Sequence, residues 1–458
     1  MSQLRSEKFM SFRSGVATFA GKSSYWFLHT FLHGGSSLPG KITLKLDPNI
    51  LRTLGAKYDV IVITGTNGKT LTTALTVSVL HEKYPAILTN PTGSNMEQGI
   101  VTTFLNAKNP KTGRPLAVLE VDEANVIKVT HYIEPKAFVF TNIFRDQMDR
   151  YGEIYTTYQK ILDGVALAPK ATIIANGDSP IFNSKELPNP IQYYGFDNEP
   201  DTDMKAKPNT DGVLCPVCQH ILHYHSLTYS NQGKYFCPNC GFARPELTYR
   251  LTALGEQTPT SSHFDVDGHP FTIQVGGTYN IYNALAAYAV GRFMGVAPEQ
   301  IAHAFTANER VFGRQEVINV GDKRVTIILV KNPVGLDQVL HMIGTDKEQF
   351  SFVALLNANY ADGIDTSWIW DGDFEQLTAL DIPTFITGGE RYKDITFRLK
   401  VAGVPDDQHI VEPDLEKVVD RITDLPTERV YVLATYTAML QLRKILATKG
   451  YIKEGFGA

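Results

Sequence analysis

The run Val60-Ile61-Val62-Ile63 leads directly into Thr64-Gly65-Thr66-Asn67-Gly68-Lys69-Thr70, after which Leu71, Ala74, Leu75 and Val79 recur at helical spacing. No other feature limits the fold so strongly. A continuous β-branched run is the pattern of a strand buried on both faces, as in a parallel sheet. A glycine-bearing turn between such a strand and a helix N-terminus makes an anion cradle, because backbone N–H groups and the helix dipole both favour bound negative charge. The motif is the short G-x-x-G-K-T form, since Ile63 stands where the longer phosphate-loop pattern carries its first glycine. Thr66, Asn67 and Gly68 are expected to line the cradle, Lys69 to reach the β- and γ-phosphates, and the Thr70 hydroxyl to bind Mg²⁺. ATP with Mg²⁺ is the ligand pair this chemistry suits.

The strand–helix rhythm continues. Strand-like runs at Leu116–Val121, Ala137–Phe140 and Ala171–Ala175 are separated by helix-length segments, which predicts a parallel sheet with right-handed crossovers. A helix is expected at Asn280–Met294, and a second strand series at Val325–Val330, Phe352–Leu356, Thr384–Thr387 and Val430–Ala434. The 458 residues are enough for two to four cores. The expected organisation is an N-terminal extension over 1–50, a central α/β ATP-binding domain over 51–315, and a smaller Rossmann-like α/β domain over 316–458. Gly34–Gly40 reads as a linker. In Glu120-Val121-Asp122-Glu123, alternation puts Glu120 and Asp122 on one side of a strand end. Glu120 is the expected catalytic carboxylate and magnesium ligand; Glu123 reads as a solvated charge.

Between about 205 and 250 the rhythm stops, and the four cysteines of the chain lie there. Cys215-Pro-Val-Cys218 and Cys237-Pro-Asn-Cys240 are two C-P-x-C knuckles with 18 residues between them. That spacing suits one tetrahedral thiolate site, a closed structural zinc in an inserted ribbon. Gly241 supplies the positive φ such turns use, and His223 and His225 read as a solvated pair.

Lys and Arg number 43 against 48 Asp and Glu, a net charge of −5, and only Lys234 and Arg244 flank the knuckles, so there is no basic stripe for nucleic acid. No apolar run approaches the ~20 residues of a membrane span. Trp26–Leu32 is short, broken by His29 and followed by His33, with no cleavage-site pattern. A cytoplasmic protein is expected, with at most peripheral contact at the inner membrane face. Arg5, Lys8, Arg13 and Lys22 mixed with Phe9, Phe12, Phe19, Trp26 and Phe27 suit either a lipid surface or a helix packed on the body; weak amphipathicity favours packing.

The cradle at Thr64–Thr70, Glu120, Thr141-Asn142-Ile143-Phe144-Arg145-Asp146-Gln147-Met148-Asp149-Arg150, Tyr279-Asn280-Ile281-Tyr282-Asn283-Ala284-Leu285-Ala286-Ala287 and Gly313-Arg314-Gln315-Glu316 together resemble the Mur ligase superfamily. The resemblance implies conversion of a carboxylate to an acyl phosphate by ATP, followed by attack of an amine. It also implies adenine contacts from Asn280 and Asn283 and phosphate contacts from Arg314. The departures narrow it. Gln147 replaces the usual His, Lys160 is out of step with the family's carbamylated lysine, and Ile328-Leu329-Val330-Lys331-Asn332-Pro333 replaces an Asp-Tyr-Ala-His-Asn-Pro segment. Residues 1–50 are too few for a UDP-binding domain. With the ribbon and the segment Ala361–Asp371, these features look like the ligase-like subunits of lipid II isoglutaminyl synthases. That likeness implies a heterodimer with a GatD-like glutaminase subunit and amidation of the α-carboxylate of D-glutamate in lipid II. It further implies that Asp365 completes the partner's Cys-His-Asp triad. With four thiols assigned to metal, glutamine hydrolysis by a cysteine nucleophile falls to another chain. The alternative is a Mur-type ligase that adds an amino acid.

Overall fold

The computed structural model describes residues 12–31, 37–90, 93–107, 114–145, 154–198, 202–206, 212–307 and 314–452. Helices α1 (Phe12–Phe31), α2 (Leu38–Leu46) and α3 (Ile50–Gly55) lead into β1 (Asp59–Thr64), α4 (Lys69–His81), β2 (Ile87–Thr89), α5 (Glu97–Asn106) and β3 (Leu116–Glu120). Then follow α6 (Val126–Thr130), β4 (Ala137–Phe140), α7 (Ile154–Val165), β5 (Thr172–Asn176) and β6 (Ile191–Phe196). β1 pairs in parallel with both β3 and β4, so the cradle leaves the middle of the sheet. Both faces of β1 are covered: Ile61 and Ile63 pack with α4, and Val60 and Val62 pack with α5. Each such aliphatic side chain stabilises the fold by about 1.5–3 kcal/mol, which is why the β-branched run reads so clearly in the sequence.

β7 (Met204–Lys205), β8 (His223–Tyr229) and β9 (Gln232–Phe236) form a small antiparallel sheet, the ribbon, before the chain returns. It then rejoins the main sheet through β10 (Tyr249–Thr258), β11 (Ser261–Val266) and β12 (His269–Ile273). The resulting strand order is β12-β11-β10-β6-β5-β4-β1-β3-β2. The antiparallel β10–β12 extension is absent from the sequence reading. β10 is mostly exposed or half-buried beyond Leu251, so it carries no continuous apolar run.

After α8 (Thr278–Phe293) and α9 (Pro298–Ala307), a second sheet has the order β13-β14-β18-β15-β16-β17. Its strands are β13 (Arg314–Val320), β14 (Lys323–Leu329), β15 (Phe350–Leu355), β16 (Phe385–Gly388), β17 (His409–Val411) and β18 (Arg429–Ala434). Helices α10 (Pro333–Ile343), α11 (Tyr392–Ala402), α12 (Leu415–Thr423) and α13 (Tyr436–Thr448) flank it. All neighbours are parallel except β13 on β14.

The N-terminal reading needs a correction. Leu38-Pro39-Gly40 opens α2 and is not linker. Pro39 sits in the first turn, where its missing N–H costs nothing. Gly40 lets α2 press on α5, since a Cβ there would lie 1.8 Å from the Gln98 carbonyl oxygen.

Candidate active site and metal centre

The cradle is built by the sheet. Thr64 lies level with Phe140 of β4, so Thr141 and Asn142 emerge beside the turn. Thr66 N–H donates to the Asn142 carbonyl (2.8 Å), Asn67 N–H to Asn142 Oδ1 (2.8 Å), and Thr141 Oγ1 to the Asn67 carbonyl (2.9 Å). Gly65 and Gly68 have φ of +131° and +82°. A Cβ on Gly68 would sit 2.0 Å from Asn283 Oδ1, so both backbone sign and space demand glycine. Lys69 and Thr70 begin α4 at the turn.

Lys69 Nζ turns back over the loop, donating closely to the Gly65 carbonyl and, at 3.4 Å, to the Thr66 carbonyl. It also pairs with Glu123 at 3.3 Å, both side chains nearly buried. Glu123 is therefore not the solvated charge its sequence context suggests. Burial pushes its carboxyl above the ordinary range against the opposing pull of Lys69. Glu120 ends β3 opposite Ile63, is buried, and accepts from Asn95 Nδ2 at 3.1 Å. Asp122 lies past the strand end and is spent as a cap, accepting from Ala124 N–H and Asn125 Nδ2.

The C-terminal domain closes over the loop. Asn332 caps α10 by accepting from Gly335 N–H (2.8 Å), and its Nδ2 donates to Asn67 Oδ1 at 3.0 Å. Lys331 Nζ reaches the Thr66 carbonyl at 3.4 Å. Between the domains lies a pocket lined by Gly68, Tyr279, Asn280 and Asn283 on one side and Val330 and Asn332 on the other. Asn280 and Asn283 thus reach the predicted site, and Asn283 also accepts from Thr72 Oγ1 of α4 at 3.2 Å. The two asparagines are linked to each other, Asn283 Nδ2 to Asn280 Oδ1 at 3.2 Å. Two ammonium groups and two carboxylates around a glycine cradle fit a nucleotide triphosphate with a divalent cation. Arg314 begins β13, but its side chain, like residues 146–150 of the D-Q-M-D segment, lies outside the described residues.

The four cysteine sulfurs lie within 4.8 Å of one another. Cys215 and Cys240 are 3.6 Å apart and Cys218 and Cys237 3.4 Å. Tetrahedral zinc with Zn–S bonds of about 2.3 Å places sulfurs roughly 3.8 Å apart, so the set fits. The knuckles repeat one geometry: Gln219 N–H bonds the Cys215 carbonyl, and Gly241 N–H the Cys237 carbonyl. Gly241 has φ +76° as expected, and Gln219 takes φ +63° at the equivalent place. The Asn239 amide, with the His220 backbone N–H, draws the Cys218 thiol down to about 6, whereas burial raises Cys215. Such crowded thiols resist losing every proton unless a cation joins them. His223 and His225 take no part: His223 Nδ1 contacts Asp203 (2.7 Å), and the His225 ring stacks on Phe236.

Asp178, which the sequence reading passed over, seats the ribbon. Fully buried, it receives Arg244 Nη1 (3.0 Å), Tyr282 Oη (2.6 Å) and Phe196 N–H (2.7 Å). Arg244 is thereby a structural clamp, and its basic charge is used inside the protein.

Of the aspartates in 362–371, Asp362 is buried and accepts from Thr437 N–H (2.7 Å), while Asp371 pairs with Arg145 at 2.7 Å. Asp365 faces solvent, its carboxyl held below the ordinary range by the Ser367 N–H (2.8 Å) and Ser367 hydroxyl (2.9 Å). The tryptophans divide: Trp368 packs on the core and Trp370 is half-exposed against Phe397.

This architecture, two α/β sheets closing on a phosphate loop, is that of the Mur ligases. A pseudomurein peptide ligase type C from Methanothermus fervidus shares it at a TM-score of 0.65, with 20% identity over 88% of this chain and 81% of that one. The Mur ligase middle domain family matches residues 63–244, and the MurT ligase C-terminal family matches 329–439. The chain is 52% identical, over 97% of its length and 99% of the relative's, to the Streptococcus pneumoniae protein "Lipid II isoglutaminyl synthase (glutamine-hydrolyzing) subunit MurT". It is 34% identical to the Staphylococcus aureus (strain COL) protein of that name over 85% and 88% of the two chains. The chain belongs to the MurT family.

Proposed function

We propose that this chain is the ligase subunit of a lipid II isoglutaminyl synthase. It uses ATP to activate the α-carboxylate of D-glutamate in the lipid II stem peptide, and ammonia from a glutaminase subunit then displaces phosphate to give D-isoglutamine. The near-full-length identity of 52% carries this reading. Thr66–Lys69 would hold the triphosphate and Asn280 and Asn283 the adenine, and the family resemblance assigns Arg314 to the phosphates. Thr70 and Glu120 would hold Mg²⁺, which would supply positive charge to the transferring phosphoryl. Lys69 and Lys331, both at the Thr66 carbonyl, supply preorganised positive charge for that step. The four cysteines hold a structural zinc.

The partner is read as a GatD-like glutaminase forming a heterodimer. Two observations support this. The four thiols are clustered, which leaves none for glutamine hydrolysis, and Asp365 lies near exposed Tyr360, Ile364 and Trp370, a composition typical of interfaces. An outward, ionised carboxylate suits the orientation of a partner histidine in a Cys-His-Asp triad. Asp365→Asn should reduce glutamine-driven amidation about a hundredfold or more while amidation with ammonium salts persists. Equal loss with both nitrogen sources defeats this role. Incorporation of an amino acid in place of ammonia would favour the amino-acid-adding alternative.

A further inference from the structure

Helix α1 is seated by its small side chains. Ser14, Ala17 and Gly21 are its buried residues. A Cβ on Gly21 would lie 2.2 Å from Thr43 Oγ1 of α2 and 2.8 Å from Leu105 Cδ1 of α5, so the approach is as close as a helix allows. Ser14 Oγ donates to Asp47 Oδ2 (2.6 Å) and Arg13 Nε to the Leu46 carbonyl (2.6 Å). These contacts fix the helix's rotation, and the large apolar side chains are left outside. Phe12 is 90% exposed, Phe19 75%, Trp26 63% and Phe27 53%. At 3.6 residues per turn, these four and half-exposed Val16 fall within an arc of about 100°, with Arg13 and Lys22 near its two borders. Between residues 12 and 46 the chain has four Lys or Arg and no Asp or Glu, although its net charge is −5.

We propose that this face of α1 docks the protein on an anionic lipid bilayer, lying in the interface without crossing it. Amphipathic aromatic side chains favour the headgroup boundary, and flanking cations add attraction to anionic lipid. No helix among the described residues is long and apolar enough to span, and the inner face of α1 is already committed to α2 and α5. The absence of acidic groups favours lipid over a protein partner, whose interfaces pair both signs of charge. The inference deepens the proposed function, since a lipid-linked substrate would be met at that surface.

The test is co-sedimentation of the full chain with vesicles of phosphatidylcholine plus phosphatidylglycerol, and of phosphatidylcholine alone, at low and high salt. The wild type should pellet with anionic vesicles and partly release at high salt. The double variant F19S/W26S should bind about tenfold more weakly or less, and Lys22→Glu should lose preference for phosphatidylglycerol, with melting temperature and ATP hydrolysis unchanged in both. No sedimentation of wild type, or equal sedimentation of F19S/W26S, overturns the proposal. So does loss of self-association or of glutaminase co-elution in F19S/W26S, which would mark the face as a protein contact. Because the vesicles contain no lipid II, failure here leaves the amidation reading standing, and failed amidation leaves this one standing.

Discussion

Lys69 has two tasks in this structure. It is the phosphate-binding candidate of the cradle, and it is the cation beside buried Glu123. Removing it leaves a carboxylate in a low-dielectric site, which costs about 3 kcal/mol when the partner is lost outright. Lys69→Ala should therefore abolish ATP turnover and also lower stability. The sign with pH is fixed by the raised pKa of Glu123. The folded state binds that proton more tightly than the unfolded state, so stability is lost as pH rises through the folded value. Denaturant melts should show Lys69→Ala well below wild type at pH 8 and closer to it at pH 5. The double variant K69A/E123Q should recover stability without recovering turnover. A Lys69→Ala protein as stable as wild type at pH 8 would contradict the buried-pair account. Sequence spacing could not reveal the pair, because it joins residues 54 apart through the meeting of α4 with the end of β3.

At the scale of elements, the ribbon is the part most dependent on a ligand. Its core is small, with Cys215, Leu222, Tyr224, Tyr235 and Cys237 buried, so a zinc on the four sulfurs is expected to supply much of its stability. Freshly purified protein should contain about one zinc per chain. Chelation or Cys215→Ser should speed amide hydrogen exchange in β8 and β9 while leaving β14 and β15 protected. Protein without zinc would remove the metal from the account. The knuckles were legible in the sequence because the motif is local: four residues of backbone geometry present both sulfurs. The seat of the ribbon was not legible, since the Asp178–Arg244 contact spans 66 residues. Strands followed the same division. β1, β4 and β15 have two buried faces and read as apolar runs, whereas β10 alternates with solvent and reads as loop.

Across the whole molecule, the two large sheets meet at the cradle through Asn67–Asn332, Lys331–Thr66 and Arg145–Asp371. This closure is made by Lys331, which stands where the usual ligase pattern carries His, and by Asn332, which keeps that pattern's Asn. Asn332 both caps α10 and clasps Asn67, and two substitutions separate the roles. Asn332→Ala should lose about 1 kcal/mol of stability with the cap and raise KM for ATP. Asn332→Asp retains the acceptor for Gly335 N–H and for Asn67 Nδ2 (3.3 Å) but loses the donor to Asn67 Oδ1 and adds negative charge beside the cradle, so it should keep stability and still raise KM. An unchanged KM in both variants would show that the clasp does not shape the nucleotide site.

The sequence by itself determined the strand–cradle–helix unit, the doubly wound pattern around it and the cysteine knuckles. Each is set by covalent spacing or by a burial pattern repeated along a few residues. Tertiary structure alone decided that Glu123 is buried, that Asp178 is the seat of the ribbon, and that Asp365 stays at the surface while Asp362 is buried and Asp371 is paired with Arg145. It also decided which face of α1 turns outward. The reason is the same in every case: the free energy of a charged or aromatic side chain depends on neighbours brought from distant parts of the chain, and those neighbours are chosen only when the sheets and helices pack.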